Sequence, residues 1–188
     1  MSQQSQHYFY ALELPAETKE MLGAICRGMQ EKWVFKRWVH PQDYHITLAF
    51  LGNADDRMLA DSIKKIETNM EVASFSLKIN HLGLFGKNDS PRIFWAGVNQ
   101  NPYLDKAREW VFKACLDSGF KLETRPFRPH ITLARKWTGD SPFTKQMLDQ
   151  EDPFKLEEMI FKAENIVLYK TNLGKEPKYE AVLKFPLS

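Results

Sequence analysis

A string of five residues that occurs twice constrains this chain more than any other feature of its sequence. His-Ile-Thr-Leu-Ala occupies 45–49 and recurs at 130–134, 85 positions later. At the same offset upstream, Phe-Tyr-Ala at 9–11 matches Phe-Trp-Ala at 94–96. Two matches at one offset indicate two copies of one structural unit. We therefore expect residues 1–188 to form a single bilobal domain with a pseudo-twofold duplication.

The expected repeat units span 7–85 and 92–170, and a closing hairpin extends to 185. In each unit an aromatic run precedes apolar residues at spacings of three and four, so a strand should precede an amphipathic helix. This mixture predicts an α+β fold in which sheets face an open groove and helices lie outside. The expected elements are strands at 7–14, 44–51, 75–83, 92–98, 121–126, 129–135, 160–170 and 179–185, helices at 16–32, 55–70 and 102–118, and a surface insertion with one short helix at 138–158.

Composition limits the class of protein without naming a function. The formal net charge of +2 gives no overall attraction for nucleic acid, so any affinity for a polyanion must be local. Cys26 and Cys115 have no partner at metal-like spacing, which favours buried apolar packing in a reducing compartment over a disulfide or a reactive thiol. The polar opening, residues 1–6, has no signal-peptide pattern, and no apolar run could span a membrane. We expect a cytoplasmic protein with no membrane partner.

Strand alternation gives the repeated string a chemical meaning. Successive side chains of a strand point to opposite faces, so His45, Thr47 and Ala49 should share one face. The aliphatic residues between them and Phe50 should share the other face, which packs on a helix. The second copy repeats this pattern. A single strand histidine is more often a packing residue, but two symmetric copies should bring two imidazoles to one groove.

Two histidines and two hydroxyls suit displacement at phosphorus. One imidazole can accept a proton from the nucleophile while the other gives a proton to the leaving oxygen, because the ordinary pKa of histidine is about 6.5. Thr47 and Thr132 can donate hydrogen bonds to non-bridging oxygens. A strained cyclic phosphate needs no metal for activation, and no histidine has zinc-like spacing, so we expect no metal and no other cofactor. Asp43 could orient His45 or simply cap the strand.

These motifs closely resemble those of the two-histidine phosphoesterase superfamily, and within it the RNA 2',3'-cyclic phosphodiesterase, or 2'-5' RNA ligase-like, family. The resemblance covers nearly the whole chain. Its marks are two HxTx motifs, the Phe-Tyr-Ala-Leu-Glu-Leu-Pro opening, Arg-Trp-Val at 37–39 before Pro41, and the run from Arg125 to Arg135. It implies a V-shaped cleft lined by two antiparallel sheets. His40 and the insertion at 138–158 depart from the pattern without touching the motifs.

The resemblance also implies a reaction and a partner. An RNA or oligonucleotide with a 2',3'-cyclic phosphate end would be hydrolysed to a 2'-phosphomonoester without metal. His45 would be the proton donor and His130 the proton acceptor, although the symmetric halves cannot assign these roles from the residues alone. We expect a monomer. The alternatives are 2'-5' RNA ligation by the reverse reaction, and a non-catalytic module that binds RNA ends or nucleotides.

Four further residues are candidates for substrate binding. Arg128 has the strand parity of His130 and should point into the groove to contact phosphate. Arg135 has the opposite parity, but a bulge or turn at the strand end could redirect it. Arg92 opens a strand and could contact phosphate. Phe50 could stack on a base, although core packing is the alternative.

Overall fold

This computed structural model describes residues 6–188, apart from the side chain of Asn69. Nine strands and four α-helices lie within that range. Residues 1–5, on which the expected absence of a signal peptide rests, lie outside it. In this part, no helix is long and apolar enough to cross a membrane. The strands are β1 (His7–Glu13), β2 (Phe35–Trp38), β3 (His45–Asn53), β4 (Phe75–Gly86), β5 (Pro91–Val98), β6 (His130–Trp137), β7 (Met159–Ala163), β8 (Asn165–Thr171) and β9 (Tyr179–Pro186). The helices are α1 (Ala16–Gln30), α2 (Asp56–Asn69), α3 (Pro102–Asp117) and α4 (Lys145–Glu151).

The strands follow the order β7-β4-β5-β6-β3-β1-β8-β9, and β2 pairs with β6. Every pairing is antiparallel, which confirms the predicted α+β class. We call β3, β1, β8 and β9 the His45 wing and β6, β5, β4 and β7 the His130 wing. The two expected sheets are joined into one path where β3 meets β6, at the pair Ile46–Ile131. The two motif strands therefore lie side by side at the centre of the sheet.

A bulge interrupts each motif strand at the same place. In β3, Thr47 pairs with Ala11 and Ala49 pairs with Tyr10, so the pairing skips Leu48. The extra residue breaks the alternation of faces. Leu48 and Ala49 are both buried, at 3% and 4% exposure, whereas Phe50 returns to the groove side and is 58% exposed. The prediction that Ala49 shares the face of His45 and Thr47 is therefore wrong.

The same bulge occurs in β6. Thr132 pairs with Trp95 and Ala134 pairs with Phe94, so Leu133 is skipped. Leu133 and Ala134 are fully buried. Arg135 is the equivalent of Phe50, and the bulge turns its side chain toward the groove in the same way. This is the redirection at the strand end that the sequence allows for Arg135.

Each motif strand has one flanking strand from its own repeat, β1 beside β3 and β5 beside β6. The register of β1 against β3 differs by one residue from that of β5 against β6. Tyr10 lies in the main core, whereas Phe9 belongs to a small apolar cluster on the groove side. In β5 the faces are exchanged: Phe94 lies in the main core, and Trp95 is half-buried on the other face. A slip of one residue moves every side chain of a strand to the opposite face. The matched strings at 9–11 and 94–96 are therefore similar in sequence but present opposite faces.

Helices cover the apolar face of the sheet. Leu22 and Cys26 of α1, and Val111 and Cys115 of α3, are buried in the main core. Both cysteines are free thiols, and burial raises the pKa of Cys26 to about 11 and that of Cys115 to about 12. They pack as small apolar side chains, as predicted.

Three segments differ from the predicted elements. Residues 121–126 form no strand; the segment is mostly exposed, and only Leu122 is half-buried in it. The single strand expected at 160–170 is two strands: β7 forms one edge of the sheet, and β8 lies next to the opposite edge strand, β9. β2 was not predicted, because four residues with one buried side chain carry no clear period. The insertion at 138–158 does contain one short α-helix, α4.

Candidate active site

Both repeated motifs line one cavity of about 460 Å³ at the junction of the wings. His45, Thr47, His130 and Thr132 all face it. We call it the histidine cavity. Its remaining lining residues are His7, Phe9, Arg37, Val39, Asp43, Phe50, Ile93, Arg135, Thr171, Leu173, Lys178 and Tyr179.

The two imidazoles are held by the same backbone device. His45 Nδ1 lies 2.7 Å from the carbonyl oxygen of Asp43, and His130 Nδ1 lies 2.7 Å from the carbonyl oxygen of Arg128. A carbonyl only accepts, so Nδ1 carries the proton in both rings. Each acceptor lies two residues before its histidine. The Nε2 atom of each ring is therefore the nitrogen available for proton transfer, and that of His45 lies 3.1 Å from the hydroxyl oxygen of Thr47.

The surroundings of the two rings differ. His45 is enclosed by Phe9, Tyr179 and Tyr169, with ring centroids at 4.8, 5.2 and 5.9 Å. His130 has an edge-to-face contact with Phe85 at 4.9 Å and a tilted contact with Trp95 at 6.0 Å. The aromatic enclosure removes water from His45, which disfavours its charged form.

Burial lowers the pKa of His45 from 6.5 to about 4, and the positive charges of Lys19 and of protonated His130 add to this effect. Burial also lowers the pKa of His130, with a further contribution from the guanidinium of Arg135. At neutral pH the free protein therefore holds two neutral imidazoles, each with an unprotonated Nε2. A donor role for either ring requires a bound anion, whose negative charge favours the imidazolium.

The structure answers the question that the sequence left open for Asp43. Its carboxylate accepts hydrogen bonds from the backbone N–H groups of Lys178, at 2.8 Å, and Tyr179, at 2.9 Å. The residue is 4% exposed. Asp43 thus contacts His45 through its backbone carbonyl, while its side chain fixes the start of β9 and with it the Tyr179 ring over His45.

Of the four candidate substrate-binding residues, Phe50 and Arg135 line the histidine cavity. Arg128 does not: it lines a second cavity, although it has the parity of His130. Its segment precedes β6 and forms no strand, so parity does not apply there. Arg92 is exposed at the start of β5, opposite in parity to the cavity-lining Ile93, and lines neither cavity.

Among the residues of the histidine cavity that sequence reasoning missed are two cations and one aromatic ring. Arg37 arrives on β2, where it pairs with Arg135. Lys178 and Tyr179 arrive from the hairpin of β8 and β9. None lies in a repeated string, so only the Arg-Trp-Val mark at 37–39 could have indicated the first. Within residues 6–188, no group of three or more His, Cys, Asp or Glu side chains is arranged to hold a metal ion.

Comparison with known proteins places the chain in a family. The family model described as LigT like Phosphoesterase matches residues 12–95 and 97–179, one match for each half of the chain. The chain belongs to this family. The two matches of the LigT like phosphoesterase model are adjacent along the chain.

The chain is also similar to named relatives in sequence and to a solved structure in fold. The RNA 2',3'-cyclic phosphodiesterase of Bacillus subtilis (strain 168) is 38% identical over 187 residues, which cover 97% of each chain. That of Geobacillus stearothermophilus is 42% identical over 182 residues, or 96% of this chain, but this chain spans only 57% of that relative's length. The fold resembles Escherichia coli LigT complexed with 3'-AMP, with a TM-score of 0.77, 23% identity and coverage of 97% and 98%.

Proposed function

We propose that the protein hydrolyses the 2',3'-cyclic phosphodiester end of RNA to a 2'-phosphomonoester, by metal-independent catalysis with His45 and His130. The observation that carries this proposal is the presence of two imidazoles, each with Nε2 available, together with Thr47 and Thr132 in one cavity. Two relatives that match over most of this chain bear the name of this activity.

In the proposed reaction, water attacks phosphorus and gives a proton to Nε2 of His130. The bond from phosphorus to the 3'-oxygen breaks, and this oxygen takes a proton from Nε2 of His45, so the phosphate remains on the 2'-oxygen. Each turnover leaves His130 protonated and His45 neutral, and exchange with solvent restores both rings. The assignment of donor and acceptor follows the family resemblance.

The charge on the substrate would make a donor role possible for His45 despite its low pKa in the free protein. The pKa of His45 is low in the free protein, at about 4, so a proton must be stabilised there by the bound phosphate. Thr47 and Thr132 donate hydrogen bonds to the non-bridging oxygens, where negative charge increases in the transition state. Arg37, Arg135 and Lys178 line the same cavity and add positive charge.

We propose further that a monomer in the cytoplasm is the active form and that 1–188 is a single bilobal domain with repeat units at 7–85 and 92–170. One copy of the chain carries both histidines and both threonines in one cavity, which supports activity without a second subunit. The inner six strands, β4-β5-β6-β3-β1-β8, keep the same order from either end when β1 is exchanged with β5, β3 with β6 and β4 with β8, which supports the repeat units.

The decisive experiment identifies the product formed from a dinucleotide with a 2',3'-cyclic phosphate end, with and without a chelator. The expected product is the 2'-phosphate at an equal rate in both conditions. A 3'-phosphate would contradict the leaving-group assignment, and activity lost on chelation would contradict the metal-free mechanism. Tight binding without product would favour the binding module, and joined RNA ends would favour ligation.

A further inference from the structure

A second cavity, of about 880 Å³, lies on the His130 wing. It shares no lining residue with the histidine cavity, but it begins next to His130. Phe85 and Trp95, which contact the His130 ring, both line it. Trp95 in turn lies 4.9 Å from Phe85 and 5.4 Å from His81, centroid to centroid. An unbroken series of rings, which we call the aromatic path, therefore leads from His130 to His81.

Two glycines make room for the aromatic path. Gly83 pairs with Trp95 across β4 and β5, and a Cβ atom on Gly83 would lie 2.2 Å from the indole. Gly97 lies between His81 and His130 in one cross-strand row, and its Cβ would lie 2.2 Å from the His81 ring. Any side chain at these two positions would displace the rings. The indole thus lies over the backbone of the sheet, as a flat support for another ring would.

Polar groups surround this support. Arg128, Gln100 and Asp105 are exposed and line the second cavity. A guanidinium suits a phosphodiester, while amide and carboxylate groups suit the donor and acceptor edges of a base. Aromatic rings beside a cation are the usual means of binding single-stranded nucleic acid. The carboxylate of Asp105 would repel a phosphate close to it, so the phosphodiester belongs at Arg128.

We propose that the second cavity binds the nucleotide that precedes the cyclic-phosphate nucleotide in an RNA strand, with its base stacked on Trp95 and its phosphodiester at Arg128. The substrates are then oligoribonucleotides rather than cyclic mononucleotides. The proposal rests on the proposed function. It assigns the reacting nucleotide to the histidine cavity, whose 460 Å³ is within the usual range for one small ligand. The larger second cavity is left for the next nucleotide.

The test compares kcat/KM for a nucleoside 2',3'-cyclic phosphate with that for a dinucleotide carrying the same cyclic end. We expect the unchanged protein to prefer the dinucleotide by about tenfold, the effect of stacking one base. Trp95→Leu and His81→Ala should each reduce this ratio by about fivefold or more. His81 is exposed and does not line the histidine cavity. His81→Ala therefore measures the same ratio if Trp95→Leu folds poorly.

Phe50→Leu is the matched control, because Phe50 lines the histidine cavity alone. It should lower kcat/KM for both substrates by the same factor and leave the ratio unchanged. A ratio near one in the unchanged protein, or a ratio that survives both Trp95→Leu and His81→Ala, overturns the second nucleotide site and leaves the proposed function standing. If neither substrate is turned over, the proposed function fails, and the second site fails with it.

Discussion

His45 and His130 occupy equivalent positions of the repeat and are held by equivalent carbonyls, but the residues that pair with them on the flanking strands differ. Opposite His45 in the sheet lies Glu13. Its carboxylate accepts hydrogen bonds from Lys184 Nζ at 2.6 Å and from Asn165 Nδ2 at 3.1 Å. Opposite His130 lies Gly97, which has no side chain. The Glu13 side chain thus fills the place beside His45, whereas on the His130 wing the rings of His81 and Trp95 lie over Gly97 and the second cavity opens beside them.

This contrast follows from the one-residue register difference between β1 and β5. Because of this difference, Phe9 faces the groove in one wing and Trp95 faces it in the other. Phe9 packs against the His45 ring, whereas Trp95 lines the second cavity. Duplication alone would give two identical histidines. The slip gives them different aromatic surroundings and places the second cavity beside His130 rather than beside His45.

The largest effect is expected from the histidines themselves. His45→Ala and His130→Ala should each lower kcat on a cyclic dinucleotide by about 10²–10⁴-fold, because each removes a proton-transfer group. Steady-state rates measure this, with circular dichroism as a check on folding. Normal activity in either variant would exclude two-histidine catalysis. Because the groups act as one unit, the double variant should lose little more than either single variant.

Arg135 and Phe50 test the two equivalent positions that the bulges bring to the histidine cavity. Arg135→Ala should raise KM by about tenfold and reduce its dependence on salt, since a charge that meets a phosphate is lost. Phe50→Ala should raise KM by less and leave the salt dependence unchanged. Titrations of KM against salt for both variants measure the difference. Equal salt dependence in both would place the Arg135 charge away from the phosphate.

Asp43 and Arg128 hold their histidines through carbonyls but differ in their side chains. Asp43→Asn should lower the free energy of unfolding by about 1–3 kcal/mol, because one of two half-buried N–H groups loses its acceptor. Arg128→Ala, at the equivalent exposed position, should change it by about 0.5 kcal/mol or less. Urea unfolding of both variants measures this. Equal losses would mean that the Asp43 carboxylate does not anchor the hairpin.

The smallest effect concerns pH. The folded-state pKa of His45 lies below its ordinary value of 6.5, at about 4, so its neutral form stabilises the fold above pH 6.5. That stability is lost as pH falls from 6.5 toward 4. His45→Gln should therefore flatten the fall of Tm between pH 7 and 4.5, and His130→Gln should flatten it less. A steeper fall in His45→Gln would reverse the sign of the argument.

The same shifts predict the pH profile of catalysis. Both ionisations of the free protein lie below 6.5, so kcat/KM should follow a bell whose two limbs belong to the histidine pair jointly and whose maximum is acidic. The profile of kcat should lie at higher pH, because the bound anion raises both pKa values. Coincident profiles would mean that substrate charge does not set the protonation of the site.

Much of the site could be predicted because its signal is local and repeated. His45, Thr47, His130 and Thr132 stand in a string that any comparison of the chain with itself finds, and strand alternation is enough to put each pair on one face. Arg37, Lys178 and Tyr179 could not be found in this way. They come from a short strand and a hairpin whose contacts join residues far apart in the chain.

The sequence by itself determined the α+β class, the two HxTx motifs and the chemistry that two imidazoles and two hydroxyls can perform. Only the tertiary structure decided which faces the neighbouring strands present. Period-two alternation holds only along a regular stretch of strand and says nothing of the register between strands, so a bulge or a one-residue slip reverses its result. That is why Ala49 is buried, Arg135 reaches the histidine cavity, and Trp95 supports a second cavity on one side alone.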